Sequence, residues 1–236
     1  MTIRALTLDL DDTLWPIWPT IVRAEQVLHD WLAAHAPRTS QRFPVDAMRR
    51  LREQVALERP ELGHDFIAQR QLTLERALGE SGDDAALAAP ALECFNDARN
   101  RVELFPGALA ALERLAARFP IAALTNGTAD LSRIGIRQHF VFQLGAREHG
   151  VAKPDASIFL SACERLGLAP AQVLHVGDDP EMDVLGAHRA GLRSVWINRD
   201  AHAWTGQPAQ PDLIVRDLDE LARRLEHDPF PIWTRT

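Results

Sequence analysis

The sequence predicts an α/β protein, a Rossmann-like parallel sheet interrupted near its start by an α-helical insertion. Three observations lead there. Ile3 to Leu8 is a short, mostly apolar run of strand length that ends in the acidic cluster Asp9, Asp11 and Asp12. The stretch from Ile17 to about Val102 carries helical periodicity. From Pro106 onward, helical segments alternate with short apolar runs, as in a parallel sheet joined by helical crossovers. The first strand therefore belongs with the C-terminal part. Residues 1–14 and 106–236 form the expected core, and residues 15–105 the inserted domain.

Each element has its own warrant. Ile17, Ile21, Ala24, Leu28, Trp31, Leu32 and His35 recur at helical steps and form an amphipathic stripe. Pro37 and Pro44 break the chain after it, and Ile67, Gln71, Leu74 and Leu78 mark another helix. Ser81-Gly82 reads as a loop, with Asp83 as the cap of a helix from Ala85 to Arg101. Beyond Pro106, helices are expected at Leu109 to Phe119, Asp155 to Leu166, Glu181 to Ala190 and Leu218 to Leu225. Strands are expected at Ile121 to Leu124, Val141 to Leu144, Val173 to Val176, Ser194 to Ile197 and Leu213 to Val215. Pro208 to Pro211 reads as a loop, and neither repeats nor low-complexity tracts are evident.

Composition narrows the class of protein. A hydrophobic fraction of 46% and a charged fraction of 25% over 236 residues suit a globular chain with a sizeable core. A net charge of −7 argues against nucleic acid or an anionic membrane as the main partner. The start MTIRALTLDL lacks the apolar stretch of a signal peptide, and no apolar run is long enough to span a bilayer. The expected location is the cytoplasm, as a monomer or homodimer. Cys94 and Cys163 lie outside any metal-ligand spacing and read as small core hydrophobes of a reducing compartment.

Polar clusters follow the expected strands or the loops beyond them: Asp9 and Asp11, then Thr125 and Asn126, then Lys153, then Asp178, Asp179 and Asp183. Strands of a parallel sheet end at one edge, so clusters distant in sequence can converge there. Each alone has an ordinary reading. Asp pairs favour turns, Thr125-Asn126-Gly127 is a common turn, and Asp178-Asp179-Pro180 can cap the next helix. Lys153 differs, because it is the only lysine among the 26 Lys and Arg residues. An ammonium on a flexible stem suits simultaneous contact with a carboxylate and a phosphate oxygen.

Taken together the clusters suggest a phosphoryl cradle. Carboxylates held close repel unless a cation intervenes, and Mg2+ suits a few carboxylates with coordination positions left for water and phosphate. Thr125 and Asn126 offer hydrogen-bond donors. Asp9 and Asp11, two residues apart on an extended strand, would point the same way, one to attack phosphorus and one to move a proton.

These motifs resemble those of the haloacid dehalogenase superfamily along nearly the whole chain. The first motif, DxDxT, stands as Asp9-Leu10-Asp11-Asp12-Thr13, the second as Thr125, the third as Lys153-Pro154, and the fourth, GDxxxxD, as Gly177-Asp178 through Asp183. The resemblance implies a magnesium-dependent phosphatase that works through an aspartyl-phosphate. Asp9 would be nucleophile and metal ligand. Asp11 would be the acid/base and would bind the metal through its backbone carbonyl. Thr125, Asn126 and Lys153 would hold the phosphoryl group, and Asp178 would complete the metal site. Thr13, Gly127, Asp179 and Asp183 would support it, Asp183 by orienting Lys153, while Asp179 stays open between ligand, supporting group and helix cap.

The insertion resembles the helical cap of one branch, which closes over the site, excludes water and selects substrate. Trp15 and Trp18, each followed by Pro or leading into one, stand where the chain enters it and read as packing residues. The histidines show no ligand spacing and receive no role. A narrower likeness, in Asp9 to Leu14 with Trp-Pro and Arg23-Ala24-Glu25, is to bacterial phosphatases acting on flavin mononucleotide and a riboflavin precursor. Three rival functions stand against a small-molecule phosphatase. A metal-independent 2-haloacid dehalogenase shares fold and nucleophile, but in the relatives that do it the second Asp of the first motif is absent. A receiver-type signalling module orders its acids, Thr and Lys differently. A non-catalytic phospho-ligand-binding protein would be expected to lack one of these groups.

Overall fold

A computed structural model describes residues 2–204 and 209–227, so Pro208 of the expected loop lies outside the described residues. The chain divides into two compact units, Met1–Pro16 with Glu103–Gly127 and Gly135–Thr236, and Ile17–Val102 with Thr128–Ile134.

The first unit is built on a six-stranded parallel sheet. Its strands are β1 (Ala5–Leu8), β2 (Ile121–Thr125), β3 (Phe142–Gly145), β4 (Val173–Gly177), β5 (Arg193–Ile197) and β6 (Leu213–Val215), ordered β3-β2-β1-β4-β5-β6. The connections run to one side of β1 and then to the other, which puts a topological switch point between β1 and β4. Central strands of a parallel sheet are covered on both faces and read as continuous apolar runs. Here β1 and β4 are wholly buried, and only Thr7 and His175 interrupt their apolar character. Those two are register partners and hydrogen-bond to each other, Thr7 Oγ1 to His175 Nδ1 at 2.9 Å. The helix Ala156–Leu166 buries Ile158, Phe159, Ala162 and Cys163 against Leu124, Leu144 and Val173. Burial pushes the Cys163 thiol up to about 11, as suits a cysteine serving as a core hydrophobe.

The second unit is helical, with segments Ile17–His35, Pro37–Arg42, Val45–Glu58, Phe66–Ser81 and Ala88–Arg99. Its core joins Ala24, Leu28 and Leu32 of the first stripe to Leu51, Leu74, Leu78 and Phe95. Pro37 and Pro44 act as helix starts: Pro37 opens one helix and Pro44 is the N-cap of the next. Proline's fixed φ and missing N–H are harmless in a first turn. The capping expected of Asp83 falls to its neighbour, since Asp84 accepts from Ala86 N at 2.9 Å. Asp83 instead accepts from both the backbone N and the hydroxyl of Thr39, each at 2.8 Å, and pairs with Arg38. Residues 128–134 group with this unit through Arg133, which pairs with Glu93 and Asp97, and through Asp130 N, which donates to Asn100 Oδ1. Among the described residues, no helix is long and apolar enough to cross a membrane.

Candidate active site

The site lies at the carboxyl ends of the central strands. Asp9 follows β1, Thr125 ends β2, and Asp178 follows β4, while Asp9 N donates to Val176 O at 2.9 Å. Lys153 comes in from the loop after β3. Its Nζ donates to Asp9 Oδ1 and to Asp183 Oδ1, each at 2.6 Å, with all three side chains buried. Burial opposes the Lys153 charge, but the pull of Asp183 and Asp9 outweighs it and holds the ammonium above its ordinary range.

Asp183 stands on an unusual first turn. Pro180–Leu185 is wound as a π-helix before Gly186–Arg189 continues as α-helix, whereas the sequence suggests one regular helix. Asp179 caps this turn, its Oδ1 accepting from Glu181 N at 2.7 Å and Met182 N at 2.8 Å. The wide turn lets Asp183 reach back, so that its Oδ2 accepts from Asp179 N at 3.0 Å and its Oδ1 meets Lys153 and His175 Nε2. Gly177 makes room for this, because a Cβ there would stand 2.2 Å from Asp183 Cγ. Burial works against the Asp183 charge, yet Lys153 and His175 hold its carboxyl well below the usual range.

His175 is a site residue that sequence reasoning missed. Burial lowers its pKa, and its ring bridges Thr7 and Asp183. Its signal was a single polar residue in an otherwise apolar buried strand, which spacing rules for metal ligands do not register. Arg199 was missed as well. Its guanidinium donates to Asp12 O at 2.6 Å and Thr13 O at 2.7 Å, pinning a turn in which Asp12 takes φ 55°. Asp tolerates that left-handed region better than most residues.

That turn corrects the expected placement of Asp11. The strand ends at Leu8, so alternation along an extended chain does not set Asp9 and Asp11 side by side. Asp11 instead lies in a tight loop, where Asp12 N donates to Trp15 O and Trp15 Nε1 donates to Asp11 Oδ1 at 2.9 Å. Trp15 is thus more than packing, while Trp18 is exposed beneath Arg49. Asn126 meets Lys153 directly. Its side-chain amide makes two hydrogen bonds with the Lys153 backbone, at 2.8 and 2.9 Å, which positions the lysine and leaves the second amide N–H to donate. Thr125 Oγ1 accepts from Gly127 N at 2.9 Å, which leaves its hydroxyl proton to donate. Thr13 donates to Asp178 Oδ1 at 2.9 Å, and Trp196 Nε1 fixes the Asp178 carbonyl at 2.7 Å.

One oxygen each from Asp9, Asp178 and Asp183 lies within 4.8 Å of the others. Burial and the neighbouring Asp183 push Asp178 up to about 7, and burial, only partly countered by Lys153, raises Asp9 well above its ordinary value. Three carboxyls thus share one ammonium, and two are held toward the protonated form. A hard oxygen set with surplus negative charge is the donor chemistry that fits a divalent cation such as Mg2+.

Comparison with known proteins agrees with this geometry. Residues 3–191 match the model of the haloacid dehalogenase-like hydrolases. The chain is 35% identical over 199 residues to 5-amino-6-(5-phospho-D-ribitylamino)uracil phosphatase YigB of Escherichia coli (strain K12), covering 83% of each protein. It is 38% identical over 158 residues to a phosphoserine phosphatase of Thermus thermophilus, covering 64% of this chain and 63% of that one. Among solved structures, a 2-haloacid dehalogenase from Pseudomonas syringae pv. Tomato DC3000 superposes with a TM-score of 0.88 at 38% identity, over 95% of this chain and 99% of that one.

Proposed function

The chain belongs to the haloacid dehalogenase-like hydrolase family, and on that premise we propose that it is a magnesium-dependent phosphatase of small phosphate monoesters. The observation that carries this reading is the cluster of buried Asp9 and Asp183 and half-buried Asp178 beside Lys153, in which carboxylates outnumber the ammonium. When bound there through Asp9, Asp178 and the Asp11 carbonyl, Mg2+ would supply positive charge to the phosphoryl oxygens and keep the carboxylates ionised.

The residues themselves account for the rest. Lys153 holds Asp9 by Oδ1, so Oδ2, which has no hydrogen-bond partner among the described residues, is the oxygen to attack phosphorus. The bond from phosphorus to the ester oxygen breaks as the Asp9–phosphorus bond forms, and Asp11 protonates the leaving alkoxide. Asp11 then takes a proton from water as that water attacks the aspartyl-phosphate, which frees phosphate and restores Asp9. The Trp15 indole fixes the Asp11 carboxyl for both transfers. Thr125 and Lys153 donate to the phosphoryl oxygens, and Asn126 and Asp183 keep Lys153 in place.

The likeness to the Pseudomonas syringae enzyme favours a second reading, dehalogenation of a 2-haloacid. A departing halide needs no proton, however, so Asp11 and the Asp178 carboxylate would be superfluous for it. Two assays decide. Release of nitrophenol from para-nitrophenyl phosphate should require Mg2+, vanish in EDTA, and fall about 10⁴-fold or more in Asp9→Asn with folding intact. Steady halide release from 2-chloropropionate without metal would overturn the proposal. For the substrate, we place flavin mononucleotide and 5-amino-6-(5-phospho-D-ribitylamino)uracil first in a panel ranked by kcat/KM, on the likeness to YigB.

A further inference from the structure

Asp11 is carried by a backbone turn that its surroundings hold from several sides. Asp12 takes φ 55°, a left-handed conformation whose cost to an L side chain must be offset by other contacts. Within the turn, Asp12 N donates to Trp15 O and Leu14 N to Leu10 O, each at 2.8 Å. The three carbonyls between are bound by residues far away in the sequence. Arg199, in the loop after β5, donates from Nη1 to Asp12 O at 2.6 Å and from Nη2 to Thr13 O at 2.7 Å. Phe105 N donates to Leu14 O at 2.9 Å.

These contacts are tied to one another. The Arg199 Cζ lies 3.7 Å from the centre of the Phe105 ring, so the guanidinium rests on an aromatic ring while its donors engage the two carbonyls. A planar fork holds two adjacent acceptors in one fixed geometry, which a lysine ammonium does not. The turn in its grip leads to two side chains of the site. Thr13 donates to Asp178 Oδ1, and Trp15 donates from Nε1 to Asp11 Oδ1, each at 2.9 Å. Asp9 is set by other contacts, its N donating to Val176 O and its Oδ1 accepting from Lys153.

We propose that Arg199 is a positioning residue for the proton transfer: by clamping the Asp12 and Thr13 carbonyls against Phe105, it fixes the Asp11 carboxyl where the leaving oxygen must be met. The inference rests on the reading of Asp11 as the acid of a phosphatase. A general acid has to lie within hydrogen-bond reach of the oxygen it protonates. A misplacement of about 1 Å caused by a distant change can cost about 10²-fold. Because Asp9 is held independently of the clamp, loosening Arg199 should weaken proton donation more than attack on phosphorus.

The test compares leaving groups on the full chain with Mg2+. Nitrophenolate departs from para-nitrophenyl phosphate with little need of a proton, whereas the leaving oxygen of phenyl phosphate needs one. The quantity compared is kcat/KM, which covers the steps up to departure of the leaving group. Arg199→Met should lose about 10-fold or more on phenyl phosphate beyond its loss on para-nitrophenyl phosphate, in the same direction as Asp11→Asn. Arg199→Lys should fall between that variant and the wild type. Equal losses on the two esters, or none, would overturn the proposal. A second measurement does not depend on turnover. Hydrogen exchange of the Trp15 indole N–H and the Asp12 amide, followed by NMR, should quicken about 10-fold or more in Arg199→Met. The Lys153 amide, which donates to Asn126 Oδ1, should keep its protection. Unchanged exchange at Trp15, or equal quickening at all three sites, would show that Arg199 does not hold Asp11 in particular. A wild type that hydrolyses neither ester sinks the phosphatase reading, and the exchange result then decides alone whether Arg199 clamps the turn. Should Arg199→Met fail to fold, Arg199→Lys, which keeps charge and stem, takes its place in both measurements.

Discussion

Two buried cations in this protein show two ways of dealing with a charge out of water. Lys153 is 4% exposed and closes on two carboxylates at 2.6 Å; Arg70 is 7% exposed and closes on none among the described residues. The electrostatic consequences run in opposite directions. Lys153 is held more firmly protonated than usual, whereas Arg70 is pulled down to about 9. A completed ion network belongs to the fold before any ligand arrives. Arg70 instead stacks on the face of Phe95 and feels the Glu25 charge without closing on it.

The comparison can be broken by removing each cation in turn. Lys153→Met strands two buried carboxyls and should cost about 3–5 kcal/mol of stability, the range for breaking a buried pair from one side. Arg70→Met removes an unpaired charge and keeps an apolar stem, so it should be near neutral or stabilising. Urea unfolding of both variants measures the difference, and equal losses would show that Arg70 is as structurally committed as Lys153.

A smaller perturbation sharpens the paired side alone. Gly177→Ala puts a methyl where Asp183 Cγ now lies and should move that carboxylate off Lys153. The expected cost is about 1–3 kcal/mol from overpacking, together with a fall in kcat that Gly79→Ala, where a Cβ meets nothing within 4 Å, does not reproduce. Wild-type kcat in Gly177→Ala would detach Asp183 from the positioning of Lys153.

The mildest probe is pH. Asp178 titrates at about 7 in the folded protein against an ordinary 3.8, so between those values the folded state holds a proton that the unfolded chain has lost. Stability contributed by that proton is therefore lost as pH rises through this window in metal-free protein. Mg2+ requires the ionised carboxylate, so its affinity should rise over the same window and its stabilising effect should be largest above pH 7. Melting temperatures with and without Mg2+ across pH 5 to 8 would show converging curves at the acid end. Parallel curves would remove Asp178 from the metal site.

Much of the architecture was legible before any coordinates. Apolar runs of strand length alternating with amphipathic stretches identify a parallel sheet because buried strands and half-buried helices impose different periods. What failed was finer. Asp83 and Asp84 are chemically equivalent as caps, and only the position of Thr39 in the fold diverts Asp83 to another helix. The Asp9–Asp11 pair looked like strand alternation because nothing local announces that the strand stops at Leu8. The role of Arg199 was hidden because its acceptors, the carbonyls of Asp12 and Thr13, lie far away in sequence and carry no side-chain signature.

The sequence by itself determined that the acidic, Thr and Lys clusters follow strands, because hydrophobic patterning and turn chemistry are local. It also marked Lys153 as singular, a matter of composition alone. Only the tertiary structure decided that Asp183 and His175 close a buried network on that lysine, and that Arg70 has no hydrogen-bond acceptor among the described residues. The reason is physical: partnership between buried charges is a matter of a few ångströms between residues far apart in the chain, and it exists only once the backbone has brought them together.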